Sequence, residues 1–250
     1  MYQKSNRFVI NNLRYIIFSG LILSLSLVIF SCSKNLNPKS DNTTDWLKYQ
    51  NDNYNSGVSD QKISLPIEEK WQYIAGHKPT PAWPAPAKAD IWNEIPKLAS
   101  LVTYDRTYHV SVKAKRLYFA SSADHKVYCL DTETGHEIWS FFTDGPNRLC
   151  PTIYGKKLYF GSDDGHIYCL EAETGKLVWK NYISEKIRKI PGNSQIISSC
   201  PVRTGLLIRN DTLFGAAGLF PKDEVYTFAL NVGDGSYIWK EKQENLAPQG

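Results

Sequence analysis

The amino-acid sequence predicts an all-β fold, a partial β-propeller of four-stranded antiparallel blades. Three observations carry that prediction. A segment of about 40 residues recurs along the chain. Each copy divides into short runs of strand formers separated by turn residues. Each copy also closes on a tryptophan. The strand runs are apolar at successive positions instead of alternating, which suits strands covered on both faces by neighbouring sheets.

Residues 116–139 read RLYFASSADHKVYCLDTETGHEIW and residues 157–179 read KLYFGSDDGHIYCLEAETGKLVW. Trp139 and Trp179 are 40 residues apart, and so are Cys129 and Cys169. A third copy, residues 212–239, ends at Trp239, 60 residues after Trp179. An insertion of about 20 residues therefore precedes it, and residues 183–199 supply most of it. Glu69-Lys70-Trp71 is the remnant of a further copy, the end of an outer strand.

Within the second copy, Leu158-Tyr159-Phe160 and Ile167-Tyr168-Cys169-Leu170 are the central strands. Ser162-Asp163-Asp164-Gly165 turns one into the other. Glu171 to Gly175 turns the chain again into Lys176-Leu177-Val178-Trp179, and an innermost strand is expected around Cys150 to Ile153. His125 and His166 fall at matching hairpin tips, where solvation is expected.

Each copy ends in the same spaced pattern: a small residue, an acidic or amide residue, a glycine and a tryptophan. It occurs as Cys129, Asp131, Gly135, Trp139, as Cys169, Glu171, Gly175, Trp179, and as Ala229, Asn231, Gly235, Trp239. This is similar to the tryptophan-docking motif of PQQ-like, quinoprotein-type propellers, and the resemblance covers roughly residues 45–250. It implies that the indoles of Trp139, Trp179 and Trp239 and the glycines Gly135, Gly175 and Gly235 tie adjacent blades together. A buried indole removes much apolar area from water and gives its N–H to a backbone carbonyl. The other repeat classes fit worse. A WD40 blade ends in Trp-Asp, whereas these tryptophans are followed by Ser140, Lys180 and Lys240, and the double glycines of kelch repeats are missing.

The resemblance also implies closure by seven or eight blades, roughly 280 residues or more at the repeat length. Only 219 residues follow residue 31. The expectation is an incomplete propeller over 45–250, with blades ending near Trp71, Trp139, Trp179 and Trp239, truncated from the longer form. A half-propeller completed by a second copy is the alternative.

The N-terminus resembles a bacterial lipoprotein signal. Lys4, Arg7 and Arg14 precede an apolar run from Tyr15 to Phe30, which stops at Ser31-Cys32-Ser33. Residues 1–31 are then a signal peptide, Cys32 is the lipidated residue, and the polar residues 32–44 are a flexible tether. An uncleaved anchor helix is the alternative. Without residues 1–31 the charge is 26 basic against 25 acidic residues, a balance of +1 that gives no cue for nucleic acid.

Few residues suggest chemistry. Asp105, Arg148 and Arg203 enter innermost strands, whose ends line a propeller's axis, so they could bind an anion or a partner loop, or pair with one another. The proline-rich stretch Lys78 to Pro86, which contains Trp83, is expected to be extended, either as a stiff covering loop or as a binding segment. Cys129 and Cys169 occupy the family's small-residue position and are expected to be buried thiols. Cys150 and Cys200 are repeat-equivalent, and a bridge between them is conceivable. No histidine or cysteine spacing suggests a metal site.

Quinoprotein dehydrogenases hold PQQ with a calcium ion over the axis, and many carry a disulfide between adjacent cysteines against the cofactor. This chain has no adjacent cysteine pair and no Cys-x-x-Cys-His haem motif. The expected function is a non-catalytic lipoprotein of the bacterial cell envelope, with the outer membrane preferred. It would attach to membrane lipid through Cys32 and bind a protein, peptide or glycan. The alternative is a PQQ-dependent dehydrogenase whose catalytic residues lie partly in blades outside this sequence.

Overall fold

The computed structural model describes residues 45–78, 108–192, 195–219 and 224–243, all within the unit spanning residues 42–250. The described residues form three four-stranded antiparallel sheets and one two-stranded hairpin, with no helix among them. Blade 1 consists of β1 (Val110–Lys113), β2 (Arg116–Ser121), β3 (Lys126–Asp131) and β4 (Glu137–Phe142). Blade 2 consists of β5 (Thr152–Tyr154), β6 (Lys157–Gly161), β7 (His166–Glu171) and β8 (Leu177–Tyr182). The inserted residues form a hairpin of β9 (Lys189–Gly192) and β10 (Gln195–Ser198). Blade 3 consists of β11 (Leu207–Arg209), β12 (Thr212–Ala217), β13 (Tyr226–Asn231) and β14 (Tyr237–Lys242). Each blade is a simple meander with strands in sequence order. The predicted fold class is therefore that of the structure.

The repeat pattern has a local cause. In every blade the third strand pairs with the fourth through a bulge at the same place, after Cys129, Cys169 or Ala229. That small residue lies directly opposite the tryptophan, as Cys129 to Trp139, Cys169 to Trp179 and Ala229 to Trp239. A larger side chain would compete with the indole for the same cross-strand space. The acidic or amide residue closes the turn that follows it. The Asp131 carboxylate accepts the N–H groups of Glu133 and Thr134, and the Asn231 side-chain oxygen accepts that of Gly233.

Packing runs between blades. One apolar cluster joins blades 1 and 2 through Tyr118, Val127, Cys129, Leu158, Phe160 and Leu170, with Trp139 packed against it. A second joins blades 2 and 3 through Tyr159, Ile167, Cys169, Trp179, Leu213 and Phe228. A third seats Trp71 and Tyr73 against Phe119, Tyr128 and Leu130 of blade 1. Trp71 thus docks on blade 1, but residues 58–75 form no strand. The expected outer strand is absent because no partner strand lies beside it among the described residues.

Candidate functional site

The junctions of blade 1 with blade 2 and of blade 2 with blade 3 are each built from two donors and one carbonyl. Trp139 Nε1 and the Tyr118 hydroxyl both donate to the Ala172 carbonyl, at 3.2 and 3.0 Å. Trp179 Nε1 and the Tyr159 hydroxyl both donate to the Val232 carbonyl, each at 3.1 Å. Trp71 Nε1 reaches the Thr132 carbonyl at 2.9 Å. In all three junctions the indole lies on the glycine of the next turn. A Cβ on Gly135, Gly175 or Gly235 would stand 2.7 Å from Trp71, Trp139 or Trp179 respectively. Gly135, Gly175 and Gly235 thus each lie under an indole, and Trp139 and Trp179 each rest on the turn of the following blade. Trp239 is 44% exposed.

Charge collects at the end of the blades that carries the β6–β7 turn and the inter-blade linkers. Asp163, buried in that turn, takes Arg148 Nε on Oδ2 at 2.7 Å. Arg203 reaches it with Nε on Oδ1 at 2.7 Å and Nη2 on Oδ2 at 2.8 Å. Arg148 precedes β5 and Arg203 precedes β11, so one carboxylate holds the linkers into two successive blades. Backbone bonds repeat the connection, from Asp163 N to the Pro146 carbonyl and from Ser198 N to the Asp163 carbonyl. Of the two uses the sequence left open for Arg148 and Arg203, pairing with an aspartate is the one seen. The aspartate is Asp163, which sequence reasoning took for a turn residue. Its position next to Asp164 in a turn gave no sign of burial. Asp105, offered with the arginines, lies outside the described residues, as do Cys32 and residues 79–86 with Trp83.

The neighbouring carboxylate, Asp164, is also buried and also fully engaged. Oδ1 accepts from His166 N at 2.8 Å and meets His166 Nδ1 at 3.2 Å, while Oδ2 accepts the Tyr168 hydroxyl and, at 3.2 Å, the Asp144 N–H. Burial alone would raise its pKa, but the bonds from His166 and Tyr168 outweigh it and the net shift is downward. Burial pushes the Tyr168 hydroxyl up, and the Asp164 charge adds to it. Blade 1 repeats the pair as Asp124 and Tyr128. His166 packs edge-on to Tyr182, with ring centroids 4.9 Å apart, and His125 meets Gln195 of the inserted hairpin at 3.0 Å. Neither histidine is the solvated tip that was expected. His125 is held by the inserted hairpin, and His166 by Asp164 and Tyr182 of its own blade.

Cys129, Cys150, Cys169 and Cys200 are buried free thiols, so Cys150 and Cys200 are not bridged. Burial pushes Cys129 and Cys169 up to about 11 and Cys150 and Cys200 up to about 12. Such thiols stay protonated at neutral pH and are poor nucleophiles. No group of three or more His, Cys, Asp or Glu side chains suited to a metal occurs among the described residues. PQQ with calcium needs open carboxylate oxygens, and both oxygens of Asp163 and of Asp164 are already occupied. These residues do not fit that group.

Tryptophan-docked blades, with two linker arginines held on one buried carboxylate, define a β-propeller of the PQQ-like repeat class. The family model described as outer membrane protein assembly factor BamB matches residues 123–250, just over half of the chain. The chain belongs to that family. Among solved structures, quinohemoprotein alcohol dehydrogenase from Comamonas testosteroni is 18% identical over 79% of this chain and 27% of its own, with a TM-score of 0.55. A europium-containing methanol dehydrogenase is 18% identical over 53% of this chain and 24% of its own, with a TM-score of 0.45. BamB from Moraxella catarrhalis is 13% identical over 58% of this chain and 50% of its own, with a TM-score of 0.35. The first of these likenesses shows a shared fold. The chain spans about a quarter of the length of the two dehydrogenases and half that of BamB. No curated protein matches the sequence.

Proposed function

We propose that this chain is a non-catalytic propeller lipoprotein of the bacterial cell envelope, anchored through Cys32 and acting as a binding or scaffold module. The observation that carries this reading is the closed Arg148–Asp163–Arg203 group. The charged side chains best placed to receive a ligand at the linker end hold successive blades together instead. Membership of a family described by an outer-membrane assembly factor supports an envelope address, with the outer membrane preferred and a protein, peptide or glycan as partner. The membrane anchor rests on the apolar run Tyr15 to Phe30 followed by Ser31-Cys32.

The test uses the full chain in two measurements. Cell fractionation is expected to find it with the outer membrane, and Cys32→Ser is expected to release it from lipid. Titration with PQQ and calcium is expected to leave its tryptophan fluorescence unchanged and to support no dye reduction with alcohols. Saturable PQQ binding with dye reduction would replace the scaffold reading with a dehydrogenase.

A further inference from the structure

Residues 45–57 cross the inner edges of all three described blades. Trp46 and Val112 of β1 exchange both ladder bonds, at 2.8 and 2.7 Å. One residue on, the Leu47 carbonyl accepts the Ile153 N–H of β5 at 2.8 Å. Asn53 Nδ2 then donates to the Ile208 carbonyl of β11 at 2.6 Å. At the other end the Asp45 carboxylate accepts from Ala114 N, in the β1–β2 turn, at 3.0 Å. Each of β1, β5 and β11 is the first strand of its sheet, so its outer ladder groups face away from the blade. An uncovered strand edge of this kind is a template for another extended chain.

The side chains of the segment match this placement. Leu47 packs on the cluster between blades 1 and 2, and Lys48 is buried. Tyr49 meets His109 edge-on, with centroids 5.1 Å apart. The segment is also stiffened from within. The Asp52 carboxylate takes Tyr54 N at 2.8 Å, Ser56 N at 3.1 Å and Ser56 Oγ at 2.7 Å. Asn51 Nδ2 reaches the Val58 carbonyl at 2.7 Å. Asn51 and Asn55 sit in the left-handed region, which asparagine tolerates better than most residues. A segment whose turn is preset in this way loses less conformational freedom when it seats.

We propose that residues 45–57 are an intramolecular clasp, filling a strand-accepting site that the inner edges of β1, β5 and β11 build together. The ligand class of that site is an extended peptide backbone. While the clasp is seated, the site is closed to peptides from other chains. The inference does not depend on the scaffold reading, since a clasp would serve either function.

Amide hydrogen exchange on the full chain tests it at single residues. The Val112 and Ile153 amides are expected to exchange about 100-fold or more slowly than unprotected ones, because the clasp carbonyls accept them. Exchange of either at the unprotected rate overturns the proposal without any variant. Trp46→Pro, which cannot donate to Val112, is expected to speed both amides about tenfold or more while the β6–β7 ladder stays slow. Adding a synthetic peptide of residues 44–57 is then expected to slow them again in the variant and to leave the unaltered chain unchanged. Speeding of Val112 alone, or failure of the peptide to restore protection, overturns the shared site.

Discussion

The indole of Trp179 lies on Gly235 so closely that a Cβ there would meet Trp179 Cδ2 and Cε3 at 2.7 Å, and Gly235 itself has φ +74°. Two separate demands meet at one position, a left-handed backbone and room for an aromatic face. Gly155 shares only the first, with φ +60° and nothing within 4 Å of a Cβ. Gly155→Ala is therefore expected to cost about 1 kcal/mol from backbone strain, and Gly235→Ala about 2 kcal/mol more because the docked indole must move. Urea denaturation of the two variants measures the difference. Equal losses would mean that the tryptophan does not tie the blades.

The Val232 carbonyl that receives Trp179 Nε1 also receives the Tyr159 hydroxyl. Removing one donor leaves the other, so Trp179→Phe and Tyr159→Phe are each expected to cost about 1 kcal/mol. The double variant strips a buried carbonyl of both side-chain donors and is expected to lose more than the sum. A double-mutant cycle reads this coupling directly, and strict additivity would argue against a shared acceptor.

Asp163 pairs with two arginines of low exposure, 6% for Arg148 and 16% for Arg203. Asp163→Asn leaves both guanidinium groups without its charge and is expected to cost about 3 to 5 kcal/mol. Replacing all three side chains by apolar ones of similar volume is expected to recover most of that loss. Stability measurements on the single and triple variants separate a structural clamp from a ligand site. A ligand site would leave stability little changed by Asp163→Asn.

Acidification should act through Asp164. Its folded pKa lies below the ordinary 3.8, so the unfolded chain takes up the proton first as pH falls. The stabilisation is fully present above 3.8 and is lost as pH drops through the folded value. Asp164→Asn is expected to be less stable at pH 7 and to show a shallower decline of the thermal midpoint on acidification. An unchanged slope would remove Asp164 from the acid response.

The blades were legible in the sequence because their determinants are local and repeated. The glycine, the small residue and the tryptophan each serve one turn or one cross-strand pair, so equal spacing exposes them. Asp163 was not legible, because its two partners lie 15 residues before it and 40 after it, and nothing in the turn marks it as buried. The clasp was missed for a related reason. Residues 45–57 are mostly polar, and their role comes from blades that begin more than 50 residues later. His125 and His166 were misjudged because the repeat places them at tips, whereas the inserted hairpin, Asp164 and Tyr182 cover them.

The four thiols give a prediction in the opposite direction of pH. Burial holds Cys129 and Cys169 at about 11 and Cys150 and Cys200 at about 12, against 9.0 when exposed. Above pH 9 the unfolded chain releases these protons while the folded chain keeps them, so the folded state loses stability as pH rises. At pH 8 none of the four should react with iodoacetamide in the folded protein, whereas all four should react in urea. The Cys150→Ala and Cys200→Ala variants should each reduce the alkaline loss. Rapid labelling of Cys150 or Cys200 in the folded chain would show that their linkers open, and would place the edge of β5 or β11 among the least stable parts of the blades.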